Sequence, residues 1–178
     1  MGMTVVARTL DAQVLASLHE DESLAEELVW DEEDDDEAAD GADASGSDGS
    51  GTIWLDLDKS WHGVHFLLTG TDWAAGDAGA AGGAILGGRP VGEDNGYGPA
   101  RLLEPEDVGS VAAALGRVSD DDLRARFDPV EMQRLDIYPQ VWDEADVLDE
   151  YLMPNVARLR DFYTQAAARG EGVLISVQ

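Results

Sequence analysis

Apolar residues in this chain recur at helical spacing in several stretches and alternate or cluster in a few short ones, so the pattern predicts a mixture of helices and strands. Val5 and Val6 mark a first strand over 2–9. Asp11 then stands where a carboxylate accepts from the free amides of a helix start. Val14, Leu15 and Leu18 give that helix its apolar stripe, and a second turn after Ser23 turns Leu24, Leu28 and Val29 inward. Trp61, Val64, His65 and Leu68 are spaced as one face of a helix capped by Asp58 and ended by Gly70. The segment 97–103 reads as a strand. Pro105 opens the next helix, where its missing N–H costs nothing, with Val108, Val111, Ala112 and Leu115 buried. Ser119 with Asp122, and Asp128 with Glu131, are capping pairs for two short helices. Those helices direct Leu123 and Phe127, then Val130 and Leu135, inward. After the extended link Ile137–Tyr138–Pro139, a long helix over 143–168 carries Leu148, Leu152, Val156, Leu159, Tyr163 and Ala166, with Pro154 forcing a kink or a split. Gly170 caps it, and 172–177 is a terminal strand.

Two stretches break the periodicity. Residues 31–48 contain ten acids and no base, and nothing in 31–51 can repay the entropy of ordering the backbone. This insert is expected to be disordered or mobile. Residues 70–98 hold ten glycines and read as a long irregular loop, with a short strand or buried turn at Ala84–Ile85–Leu86. The whole predicts one α+β domain over 1–178, a small sheet that includes the N- and C-terminal strands, packed with several helices.

Charge changes the picture most. The chain has 38 acidic and 11 basic residues, a net charge of −27, and Lys59 is its one lysine. A nucleic-acid binder needs a cationic face to displace phosphate counterions, and neither half of this chain offers one. Nucleic acid and anionic membrane surfaces are therefore not expected partners. An acidic surface suits a basic protein partner, or solubility. With no cysteine, disulfides, thiolate metal sites and cysteine nucleophiles are excluded. The start carries no signal-peptide pattern and no run reaches membrane-spanning length, so the expectation is cytoplasmic. Frequent arginine, alanine and glycine suggest a GC-rich bacterial genome.

Three stretches carry a resemblance: Met1–Gly2–Met3; LDLDKSWHGVHFLLTGT over 55–71; and Ile137–Tyr138–Pro139 with Trp142. The segment 96–101 and the ending 168–170 agree with them. On these the chain resembles the YfbM-like family of uncharacterised bacterial proteins. The resemblance implies an α+β domain and a bacterial origin, and it implies no reaction, because no catalytic residues come with it.

Candidate chemistry is sparse. His65 is the residue best suited to proton transfer, and the bland reading places it on a buried helix face with a hydrogen-bond partner. His62 lies three residues before it, but no third ligand is in register and no metal or other cofactor is expected. The acidic run fails as a calcium loop at Ala38 and Ser47. Gly96 and Gly98 lack the third glycine of a dinucleotide fingerprint. Trp61, His65, Tyr97, Arg101, Tyr138 and Trp142 are the candidates for a ligand or partner groove, since amphipathic rings beside a cation suit recognition. The reading these features favour is a non-catalytic acidic module that binds a basic protein, resembling an immunity protein by analogy of charge. The alternative is a small hydrolase using His65 in a cleft near Trp61 and Tyr97.

Overall fold

The computed structural model describes residues 2–30, 51–73 and 79–178. The acidic insert expected over 31–51 falls, Gly51 apart, outside the described residues. The elements in chain order are β1 (Val5–Leu10), α1 (Ala12–Glu20), α2 (Leu24–Trp30), β2 (Trp54–Asp58), α3 (Trp61–Thr69), a 3₁₀ turn (Gly79–Gly82), α4 (Gly83–Leu86), β3 (Arg89–Asp94), β4 (Pro99–Leu103), α5 (Pro105–Leu115), α6 (Asp120–Arg126), α7 (Pro129–Arg134), a π-helical turn (Val147–Leu152), α8 (Met153–Arg169) and β5 (Gly172–Val177).

The strands form one sheet in the order β2-β1-β5-β4-β3, antiparallel throughout. The first and last strands are neighbours, in register from Val5 opposite Val177 to Leu10 opposite Gly172. Because side chains alternate across a strand, the sheet has two apolar faces and a core on each. One holds Val5, Ala7, Leu55, Leu57, Leu103, Val173 and Ile175 against α3, α5 and α8. The other holds Leu10, Val91, Ala100, Leu102 and Leu174 against α1 and α2. The α+β class read from the pattern is what the chain adopts.

Several local expectations hold for the reasons given. Asp11 accepts from the Gln13 and Val14 amides, both at 2.8 Å. Ser119 and Asp122 form a reciprocal capping box, and Asp128 accepts from Val130 and Glu131. Gly70 and Gly170 end their helices at φ of 71° and 66°, in the left-handed region that glycine enters without steric cost. Pro154 falls in the first turn of α8, and the residues before it wind as a π-turn. The long helix expected over 143–168 is thus split at the proline.

Other expectations are corrected. Asp58 does not cap α3: it ends β2 at φ 45°, and Ser60 holds the cap position, its hydroxyl donating to Leu57 O at 2.6 Å. The spacing in α3 suggested one buried face, yet every residue from Trp61 to Leu68 is buried, because the helix lies inside the larger core. Val130 is 79% exposed, and Met132 fills the core position instead. The glycine-rich stretch is more regular than its composition suggests. Ala84–Ile85–Leu86 is helical, and Arg89–Asp94 is an edge strand that Pro90 and Gly92 disguise. An edge tolerates both residues, since one side of the strand makes no ladder bonds.

Candidate functional site

The start of α3 organises the region where the sequence candidates meet. Trp61, His62 and Gly63 each fix a different segment. The indole N–H of Trp61 donates to Met3 O at 3.1 Å, tying α3 to the chain just before β1. His62 Nδ1 accepts from the Tyr138 amide at 3.0 Å, and Nε2 donates to the Asp72 carbonyl at 3.2 Å. A carbonyl can only accept, so the proton sits on Nε2 and the ring is neutral. Burial pushes the His62 pKa down to about 4, more than its hydrogen bond to the Asp72 carbonyl raises it. The imidazole stacks on Trp61, ring centres 4.6 Å apart and planes 8° off parallel. Gly63 leaves room for the indole of Trp142, whose N–H donates to Ile137 O at 2.7 Å.

Trp73 extends this cluster outward. Its ring centre lies 5.3 Å from that of Trp61 and 5.0 Å from that of His62. Its other side opens on a cavity of about 130 Å³, lined also by Tyr97, Arg101, Ile85, Pro99 and Val177. Tyr97 and Arg101 therefore share a cavity, and Trp61 reaches it through Trp73 rather than by lining it. His65 is fully enclosed, at 0% exposure. A hydrolytic histidine must meet its substrate, and this placement does not provide that. Tyr138 and Trp142 are drawn to α3 by His62 and Gly63, with Trp142 buried.

A second and larger cavity, about 480 Å³, lies beside the turn from β2 into α3. Lys59 lines it together with Pro139, Val141, Val147 and Tyr151, and with three carboxylates, Glu144, Asp146 and Glu150. Burial raises the Tyr151 hydroxyl to a pKa of about 12, and the negative charges of Asp58 and Asp56 add to the rise. The phenol is therefore a neutral donor on an acidic wall. Sequence reasoning missed Trp73 and this carboxylate set. Trp73 sits two residues beyond the recognisable stretch 55–71, and the three acids were indistinguishable from the many others of the chain. The solitary lysine was the available signal.

Among the described residues, no group of three or more His, Asp or Glu side chains stands where it could hold a metal ion, and no helix is long and apolar enough to cross a membrane.

The fold has a solved relative. The crystal structure of a protein of unknown function, YfbM from Escherichia coli, is similar over 98% of this chain and 99% of that one, with a TM-score of 0.70 and 20% sequence identity. At that identity the likeness is one of fold. No curated protein matches the chain. A family model described as a domain of unknown function (DUF1877) matches residues 1–176. Over nearly its whole length, then, with α3 and its neighbours inside the match, the chain belongs to the DUF1877 family.

Proposed function

We propose that this protein is a non-catalytic acidic module that binds a basic protein segment, with the cavity beside Lys59 as the point of contact. The observation that carries the reading is the make-up of that cavity. Val147 is buried and Pro139, Val141 and Tyr151 are half-buried, giving an apolar floor, while Glu144, Asp146 and Glu150 stand exposed at its rim. An arginine or lysine side chain has matching halves, an apolar stem and a cationic head. Three carboxylates outweigh the single Lys59, and Asp56 and Asp58 lie close by. The net charge of −27 brings a basic partner in from a distance and repels acidic ones. The lack of cysteine and the Escherichia coli neighbour support a bacterial, cytoplasmic setting.

The test is binding of a synthetic arginine-rich peptide to the full chain and to a variant with Glu144→Gln, Asp146→Asn and Glu150→Gln. The expected result is weaker binding by the variant and association that slows as salt rises, with dissociation little changed. Equal binding by the variant, or association indifferent to salt, would leave the charge serving solubility alone.

A further inference from the structure

The smaller of the two cavities described above has a cationic side chain, Arg101, in its wall. Three other cavities are each lined by at least one glutamate. The cavity at Trp73 is lined, among the described residues, by Trp73, Tyr97, Ile85, Pro99, Val177 and one cationic side chain, Arg101, with no carboxylate side chain among those lining residues.

Arg101 is under-used where it stands. Among the described residues its guanidinium makes one hydrogen bond, to Gly88 O at 3.3 Å, and no ion pair. A guanidinium has five N–H donors in a planar fork whose geometry matches the two oxygens of a carboxylate. The aromatic lining is unusual as well. Trp73 is 52% exposed and Tyr97 50%, two of the four large apolar side chains left exposed among the described residues. The Trp73 ring and the Tyr97 backbone are both anchored. Trp73 rests on the buried Trp61 and His62. The Tyr97 amide donates to Asn95 Oδ1 at 3.0 Å, and Asn95 is held in turn to Val177 O at 2.8 Å. A positioned indole and an open phenol ring on an anchored backbone, beside a cation with no ion pair among the described residues, match the two halves of an aromatic anion.

We propose that this cavity binds a small aryl carboxylate, its carboxylate on Arg101 and its ring against Trp73 and Tyr97. The volume, about 130 Å³, is below that of drug-sized sites and fits a single ring. The overall negative charge does not forbid an anion here. The nearby Asp72 and Asp94 carboxylates accept from the Trp73 and Gly98 amides at 2.7 and 2.9 Å, so both are engaged by backbone donors. The Arg101 guanidinium in the wall makes no ion pair among the described residues. At physiological salt the Debye length is about 8 Å, which screens the more distant charges. The site is separate from the acidic cavity beside Lys59, and the inference stands whatever binds there.

The experiment is a titration of the full chain with benzoate, followed by tryptophan fluorescence and by calorimetry, against benzamide and inorganic phosphate as controls. The expected result is one saturable benzoate site, with benzamide and phosphate each weaker by at least about tenfold, since each lacks one of the two recognised features. Arg101→Gln should weaken benzoate by a similar factor. Tyr97→Leu, at an exposed position where the fold does not depend on the ring, should weaken benzoate severalfold and leave the thermal midpoint unchanged. Failure of benzoate to saturate, equal binding of benzamide or phosphate, or full benzoate affinity in Tyr97→Leu overturns the proposal, the last even if Arg101→Gln does not fold.

Discussion

Gly63 lies directly beneath the indole of Trp142: a Cβ added to Gly63 would stand 2.5 Å from Trp142 Cη2 and 2.8 Å from a Leu152 methyl. Real atoms do not approach so closely, and the indole cannot simply swing aside, because its N–H is committed to Ile137 O. Gly63→Ala should therefore destabilise the protein by about 1–3 kcal/mol, the usual cost of overpacking a filled core. Chemical denaturation measures this directly. A loss below about 0.5 kcal/mol would mean that the 137–152 segment yields at little cost.

His62 makes stability depend on pH in a defined window. Its folded pKa of about 4 lies below the ordinary value of 6.5, so the unfolded chain takes up a proton at a pH where the folded one does not. Stability is at its full value above about pH 6.5 and falls as pH drops towards 4, at no more than about a tenfold change in the folding equilibrium per pH unit. Asp21, Asp122 and Glu131, whose pKa values are lowered by hydrogen bonds to Ser23, Ser119 and Arg134, act only at lower pH. Wild type and His62→Gln, compared by urea denaturation at pH 7, 6 and 5, should show a steeper fall between 6.5 and 5 in wild type than in the variant.

Tyr163 is fully buried, and its hydroxyl donates to Ala84 O at 2.7 Å, linking α8 to α4. Burial raises its pKa, so the phenol stays neutral across any working range. Tyr163→Phe keeps the ring and orphans the carbonyl, and should cost about 1–3 kcal/mol. Hydrogen exchange would locate the effect, with faster exchange expected at 83–88.

Arg8 is a cation inside the α1–α2 core, 7% exposed. Its guanidinium lies 4.7 Å from the Trp54 ring centre, and Nη1 donates to Leu28 O at 2.9 Å. Trp54→Leu removes the ring and keeps the bulk apolar, and should cost about 1–2 kcal/mol through the lost cation–π contact. Arg8→Lys should cost at least as much, because an ammonium cannot both lie flat on the ring and reach the carbonyl. Thermal unfolding of the two variants separates the contributions.

Local chemistry was legible from the sequence wherever one residue type decides a geometry. Asp11, Ser119 and Asp128 cap because a short polar side chain reaches a free amide, and Gly70 and Gly170 end helices because only glycine turns there freely. What was hidden depends on tertiary placement. Val130 has the right period for burial, yet it faces solvent while Met132, two residues on, turns into the core. His65 and His62 look alike on paper. Only the fold reveals that the Tyr138 amide and the Asp72 carbonyl converge on the second of them. The recognition candidates proved to be parts of two separate places. Tyr97 and Arg101 line one cavity, Tyr138 and Trp142 are held at the start of α3 by His62 and Gly63, and Trp73, which links the former to Trp61, carried no periodic signal at all.

The sheet order has a consequence for how the protein is made. β5 is the sole bridge between the β2–β1 ladder and the β4–β3 ladder, and past the strand ends Thr4 and Gln178 exchange backbone hydrogen bonds at 2.8 and 2.9 Å. A growing chain that has not yet released its last strand holds two hairpin-like fragments, each with a bare inner edge where β5 belongs. Such edges invite pairing with other chains. The central ladder cannot close until β5 itself has been made, so the two halves of the sheet wait for Gly172–Val177. A chain arrested before residue 172 would display both bare edges, and the arrival of β5 covers the two together.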